Sequence, residues 1–459
     1  MMVALEVMVM LLEQIVTKIS QSLINVKILT IISTILIFAL IVDMELSNVA
    51  DLLHGSITSL PGIDTFVVIS SIYLVGQYIL LRFAKVMTTD LRSRKKDIRI
   101  IEWVVSIVQK LIIAIFLLLI AEITLGSSYD LFILITITIV SNGFTAVVMF
   151  YLFNQLLGYY KSHHNYAILS FAISGLIISI TAIVTIFFMV PILLSKPPFI
   201  SSMTDVIFPI FVPGSIIDTL NYAFYILSIL SFISVWTGTV GLLAHYSKKI
   251  GNMRFWFAMS LPLVFYLGQI IVIYSQIPLL FFRLDSTSFL FYYRVIFTVS
   301  STLGGLLFSQ PFFLLSRITS QKSNMHKHLI ILGIGMVLFF ISGSATVYHT
   351  PYPPYGLPTV ALIGTSSYLL FLGLYSSAIS LSQDSELYKL IKTSVKEWKF
   401  FLKLSDAEAE KGILEKVGSV KGVMTTETGI SPSVSISDAK DYLVEVLNEI
   451  QSDGKQNGS

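Results

Sequence analysis

Three ionisable residues stand inside long apolar runs: Lys110 in "VVSIVQKLIIAIF", Glu122 in "LLLIAEITLG" and Arg294 in "FLFYYRVIFTV". A charge in hydrocarbon is costly unless it is paired, hydrated or able to snorkel. Such residues are therefore the first places to look for an ion pathway, a proton relay or a structural pair. Glu122 and Arg294 sit near the same end of their respective runs, at depths that suit an ion pair between two helices. The competing reading is an arginine that snorkels alone to headgroups or carbonyls. Lys110 lies deeper, with no carboxylate at its level. Asn142, Gln269 and Gln310 are uncharged polar residues at depth.

Histidine offers the other chemistry. His163 and His164 fall in one connecting segment and His326 and His328 in another, and the four would form one metal site if those segments met. No carboxylate or cysteine accompanies them at ligand spacing, so they are expected to be interfacial polar residues, with no metal. The chain has no cysteine. Disulfides, thiolate nucleophiles and Cys-ligated zinc or iron–sulfur clusters are thereby excluded. The sequence contains no H-E-x-x-H, G-x-S-x-G, Walker A or G-x-G-x-x-G pattern. It therefore assigns no catalytic residue and no cofactor.

The elements that must position these side chains are membrane helices. Of the 459 residues, 55% are hydrophobic and 12% charged. That is about half the charged fraction of a soluble domain. Apolar runs close to the ~20 residues that cross a bilayer recur along the chain. The runs predict spans at roughly 24–42, 66–84, 101–125, 131–157, 167–194, 219–246, 255–275, 288–316, 328–348 and 358–382. The expected fold is all-α: a polytopic helical membrane protein of about ten transmembrane helices over 24–382, with a short cytoplasmic helical tail over 383–459.

The connections alternate in charge. Segment 85–100 carries Lys85, Arg92, Arg94, Lys95, Lys96 and Arg99; segment 247–254 carries Lys248, Lys249 and Arg254; segment 317–327 carries Arg317, Lys322 and Lys327; segment 158–166 carries Lys161. Segments 43–65 and 349–357 have no Lys or Arg, and 195–218 and 276–287 have one each, Lys196 and Arg283. The positive-inside rule then puts both termini in the cytoplasm of a cell-membrane protein. The outer connections hold Asp43, Glu45, Asp51, Asp64, Asp205, Asp218 and Asp285, an acidic rim that is mainly the complement of that rule. The outer run "YHTPYPPYGLP", 348–358, offers tyrosines for an interfacial belt or for a recognition surface.

Residues 1–23 place Glu6, Glu13, Thr17 and Ser20 on one narrow stripe of a helix, which reads as an interfacial helix or as an eleventh span. In the tail, Lys389, Lys392, Lys396, Lys399 and Lys403 recur at steps of three and four and form one basic helical face. That face suits anionic lipid headgroups, and equally a solvated extension of the last span. A helix opened by Ser405 is weakened by Gly412, Gly418 and Gly422, and an acidic helix near 437–451 has an apolar side in need of a partner. The stretch 405–451 is the expected contact for that partner, within the tail or on a cytoplasmic protein. The tail is too short for an ordinary nucleic-acid-binding domain.

The run "YHTPYPPYGLPTVALIGTSSYLLFLGLYSSAISLSQDSEL", 348–387, resembles the last span and flanks of a group of uncharacterised archaeal multi-pass membrane proteins. It covers under a tenth of the chain and implies no activity for any residue. Three functions compete on this sequence. A non-enzymatic sensory, regulatory or scaffolding protein with a partner-binding tail fits best. A secondary transporter would need a hidden internal repeat, and a lipid-acting enzyme would need an acid, base or metal constellation.

Overall fold

Long uninterrupted apolar stretches satisfy every backbone polar group internally only as helices, and helices are what they form. The computed structural model describes residues 26–49, 60–87, 96–126, 128–196, 198–200, 214–244, 247, 251–275, 286–318, 324–344, 352–398, 406–428, 432, 439–440 and 442–443. The helices are α1 (Val26–Val49), α2 (Leu60–Met87), α3 (Lys96–Gly126), α4 (Leu131–His163), α5 (Tyr166–Leu194), α6 (Ile216–Leu243), α7 (Asn252–Ser275), α8 (Ser286–Ile318), α9 (Asn324–Ser344), α10 (Leu357–Trp398) and α11 (Asp406–Thr428). Eight of them, all but α7, α8 and α11, contain a described stretch long and apolar enough to cross a membrane. Residues 1–23, expected to form an interfacial helix, lie outside the described residues.

Local chemistry sets several ends. The Asp130 carboxylate accepts the Phe132 N–H and opens α4; Asn165 accepts from Ala167 and opens α5. At α6 the Ser215 hydroxyl accepts the Asp218 N–H while Asp218 accepts the Gly214 N–H, a reciprocal cap. Asp218 is thus a helix cap as well as a member of the acidic rim. α4 ends at His164, in the left-handed region at φ 51°, with its N–H returned to the Tyr160 carbonyl.

α10 is the axis of the bundle. Within Leu357–Gln383, 94% of the most apolar stretch is buried, against 28% of that in Ile98–Gly126 on the periphery. α4 and α9 flank it, with α1, α2 and α3 also against it. α4 runs parallel to α10: the Ser141 hydroxyl donates to the Ala361 carbonyl at 3.3 Å, and Ser367 donates to Thr145 at 3.2 Å. α9 runs antiparallel and comes closest. A Cβ on Gly373 would stand 2.6 Å from the Leu332 backbone, and one on Gly335 would stand 2.9 Å from the Leu370 nitrogen. Small residues here let two helices approach to backbone contact. The outward surface is apolar, with Trp103, Leu118, Phe132, Val147 and Phe187 all exposed, as in a bundle solvated by hydrocarbon.

Among the described residues, parts of the α3–α4, α5–α6 and α9–α10 connections lie at one end of the bundle, with the start of α2. Tyr129–Asp130, before α4, pairs antiparallel with Phe199–Ile200, after α5 (β1 and β2). Tyr355, before α10, reaches the start of α2. At the opposite end, Ser382 of α10 meets Tyr159 of α4 and Asn165 before α5. These two sets of contacts lie at opposite ends of α10.

Candidate functional site

The two ends of α10 carry the most specific polar chemistry. At the first end, the residue that precedes α10 is Gly356, at φ +87°, and it has no side chain to cap the exposed N–H groups of the first turn. Asp43 of α1 supplies the missing carboxylate. One oxygen accepts the Gly356 N–H at 2.9 Å, and the other accepts the Thr359 N–H at 3.2 Å and the Thr359 hydroxyl at 2.6 Å. Asp43 is fully buried. Its charge faces the positive end of a 42-residue helix, where an anion is favoured. The expectation of Asp43 as a surface rim residue is corrected here: a carboxylate that accepts three hydrogen bonds can be buried where a free one cannot.

The neighbouring tyrosines reinforce this clamp. Tyr355 donates to the Gly62 carbonyl at 2.6 Å and sets its ring edge-on to Phe66. Tyr352 donates to the Ile123 carbonyl at 3.5 Å and stacks on Tyr129 at 6.2 Å. Burial, and then the Asp43 charge, pushes the Tyr355 phenol well above its ordinary range. Burial, and then Tyr352, does the same to Tyr129. Neither Tyr352 nor Tyr355 lies in an interfacial belt or on a recognition surface; both are core residues, each under 5% exposed. The segment 352–356 is a plug that joins α1, α2, α3 and the α3–α4 connection.

At the other end α10 does not stop where its apolar stretch ends at Gln383 but continues without a break to Trp398. Ser382 accepts from Tyr159 and, at 2.9 Å, from the Asn165 amide. One residue on, the Gln383 amide donates to the Met424 carbonyl of α11 at 3.4 Å. Leu387 and Ile391 then pack with Ile413, Val417 and Met424 of α11 and with Ala439 and Leu443. α11 persists to Thr428 despite its glycines because this apolar stripe is buried, and that gain exceeds the ~1 kcal/mol each glycine costs. The apolar faces of the tail thus cover one another.

Most of the residues singled out by type are not gathered together. Lys110 is exposed on the outer face of α3. Glu122 accepts the Asp130 N–H at 3.0 Å and so braces the α3–α4 turn. Arg294 belongs to α8, but its side chain, like that of Gln269, lies outside the described residues. The main packing partners of α3 are α2, α4 and α10, and those of α8 are α1, α7 and α9. Lys389, Lys392 and Lys396 ride on the continuation of α10 with their side chains outside the described residues, and Lys399 and Lys403 lie outside them altogether. His163 stacks on Tyr159 at 4.1 Å, and His326 contacts the Ser316 carbonyl at 2.6 Å. Among the described residues no three potential ligands come together to hold a metal. Asn142 donates to the Thr138 carbonyl one turn earlier in α4.

Asp43 and Thr359 leave only faint traces in the sequence. Their signals were an aspartate inside an apolar run, "ALIVDMEL", and a glycine immediately before a helix, "YGLPT". No protein-family model, curated protein or solved structure matches the chain. The site itself defines the class: a helical bundle with a buried carboxylate clamp at one end of its axis and a folded tail at the other.

Proposed function

We propose that this is a multi-pass cell-membrane protein with a sensory or regulatory role, in which α10 connects events at its clamped end to the tail. The observation that carries the reading is the continuity of α10. Its 42 residues extend roughly 63 Å at 1.5 Å per residue, from the Asp43 clamp to the α11 cluster. A helix held at both ends by specific polar and apolar contacts transmits axial shift or rotation as a unit, the kind of two-state element regulation requires.

In this reading all ten helices α1 to α10 span the bilayer, the basic connections and both termini face the cytoplasm, and the clamp faces outward. Lys389, Lys392, Lys396, Lys399 and Lys403 engage anionic headgroups, and 405–451 contacts a cytoplasmic protein when it leaves α10. The resemblance of 348–387 to archaeal membrane proteins fits an archaeal membrane setting. The test is hydrogen exchange on the full-length protein in nanodiscs. Thr359→Val, at the clamp, should alter the protection of α11 at the far end of the molecule. Unchanged exchange in α11 with altered exchange at the clamp would refute the coupling.

A secondary transporter is the second reading. It is favoured by Gln77 and Gln109: both ends of the buried Gln77 amide and the Gln109 amide nitrogen find no hydrogen-bond partner among the described residues.

A further inference from the structure

α2 and α3 enclose a polar wedge that the clamp and tail do not use. Two contacts set the antiparallel register of these helices: the Tyr73 ring lies 5.1 Å from that of Phe116, and the Lys85 ammonium donates to the Ser106 hydroxyl at 2.6 Å. In that register Gln77 and Gln109 differ in depth by about one helical turn, roughly 6 Å. Ser70, Tyr73 and Gln77 lie on one face of α2, separated by three and four residues. Gln109 lies in the inward stripe of α3 formed by Glu102, Val105, Ile112 and Phe116. All four are at most 7% exposed.

None of the Ser70 hydroxyl, the Tyr73 hydroxyl, either end of the Gln77 amide or the Gln109 amide nitrogen has a hydrogen-bond partner among the described residues. A buried polar group left unpaired is strongly disfavoured, and here five such atoms are strung along the facing stretches of α2 and α3, from the level of Ser70 to that of Gln109, roughly 17 Å at 1.5 Å per residue. The set contains donors and acceptors together, and none of the four side chains is charged at neutral pH. An ion of either sign would satisfy one kind of atom and leave the other bare. Neutral molecules that both donate and accept, several in a row along the two helices, satisfy both kinds of atom. The Lys85–Ser106 contact stands at the basic end of the wedge.

We propose that the wedge between α2 and α3 is a binding site for small neutral hydrogen-bonding molecules, with water the smallest and simple amides or alcohols the larger members of the class. The site stands apart from the signalling reading and does not depend on it.

Radiolytic hydroxyl labelling of the full-length protein in nanodiscs tests this, because buried rings are modified only where a polar molecule brings the radical to them. Tyr73 should be labelled several-fold more than the equally buried Phe371, and Gln77→Leu should remove the excess and lower the melting temperature. With formamide as the probe, loss of Tyr73 labelling relative to an exposed reporter, Tyr166, assigns a solute site. Unchanged labelling assigns a water site. Labelling of Tyr73 no greater than of Phe371, together with a Gln77→Leu protein as stable as the parent, overturns the proposal, since replacing a truly dry, unpaired amide by an apolar group costs nothing.

Discussion

Asp43 and Thr359 stand 316 positions apart in the chain, yet the Thr359 hydroxyl donates to the Asp43 carboxylate at 2.6 Å. The pair closes the bundle, tying its first described helix to its central one. Charged hydrogen bonds of this kind contribute about 1.5–3 kcal/mol each, and loss of the acceptor strands buried donors. Asp43→Ala should therefore be the most damaging change at this end, lowering stability by about 3–5 kcal/mol. Thr359→Val should cost about 1–2 kcal/mol, because the backbone N–H groups keep their acceptor. Melting of the purified protein in detergent checks the order; equal losses would mean that the carboxylate is not the cap.

The approach of α9 to α10 gives a second expectation. Gly373→Ala must push a methyl into the Leu332 backbone, and overpacking of this kind costs about 1–3 kcal/mol. Gly418→Ala, in α11, meets nothing within 4 Å and should stabilise by about 0.4–1 kcal/mol. The two substitutions are chemically identical, so opposite signs in a melting experiment isolate the packing term.

The tail cluster is tested by Leu387→Ala. Leu387 is fully buried, and truncation should cost about 2–4 kcal/mol. The loss should fall on docking of α11: limited proteolysis should cut within 399–405 faster while the membrane core stays intact. Uniform destabilisation of the core would show that α11 and the bundle unfold as one unit.

Orientation follows from single cysteines in this cysteine-free chain. Ser195→Cys and Ser162→Cys both lie at exposed positions, at the two opposite ends of the bundle. Ser195→Cys should react with an impermeant maleimide on intact cells and Ser162→Cys only after lysis. Gly356 is unsuited as a probe, being buried with a positive φ. The reverse pattern would invert the molecule.

Lipid contact by the tail has its own measurement. Lysines near an anionic surface gain about 1 kcal/mol each. A combined Lys389→Gln, Lys392→Gln and Lys396→Gln variant should lose the extra thermal stability that nanodiscs of anionic lipid give over neutral ones. A difference that survives the substitutions would locate the lipid contact elsewhere.

Helix type and position were legible from hydrophobic run length alone, because the bilayer imposes one length scale on every span. Charge alternation in the connections gave an expectation of two faces, and the described contacts put Asp130 and Phe199 beside each other at the start of α4. The clamp was not legible. Asp43 reads as the first residue of a loop because an aspartate normally ends an apolar run, and only the distant Gly356 and Thr359 explain its burial. Tyr352 and Tyr355 read as interfacial for the same reason: amphipathic rings beside prolines suit a headgroup layer unless a carbonyl such as that of Gly62 awaits them. Pairings over hundreds of residues leave no local periodicity to read.

The central position of α10 bears on biogenesis. This helix emerges from the ribosome after the nine described helices that precede it, among them α1, α2, α3, α4 and α9 that pack on it, so the nascent bundle waits with an open axis. Until it arrives, Ser141 and Asp43 lack their partners, and the lipid or insertion machinery must shelter them. Synthesis of α10 is then the step at which an assembly of separate spans becomes a single cooperative unit, and quality control in the membrane can read an unclosed axis as an unfinished protein.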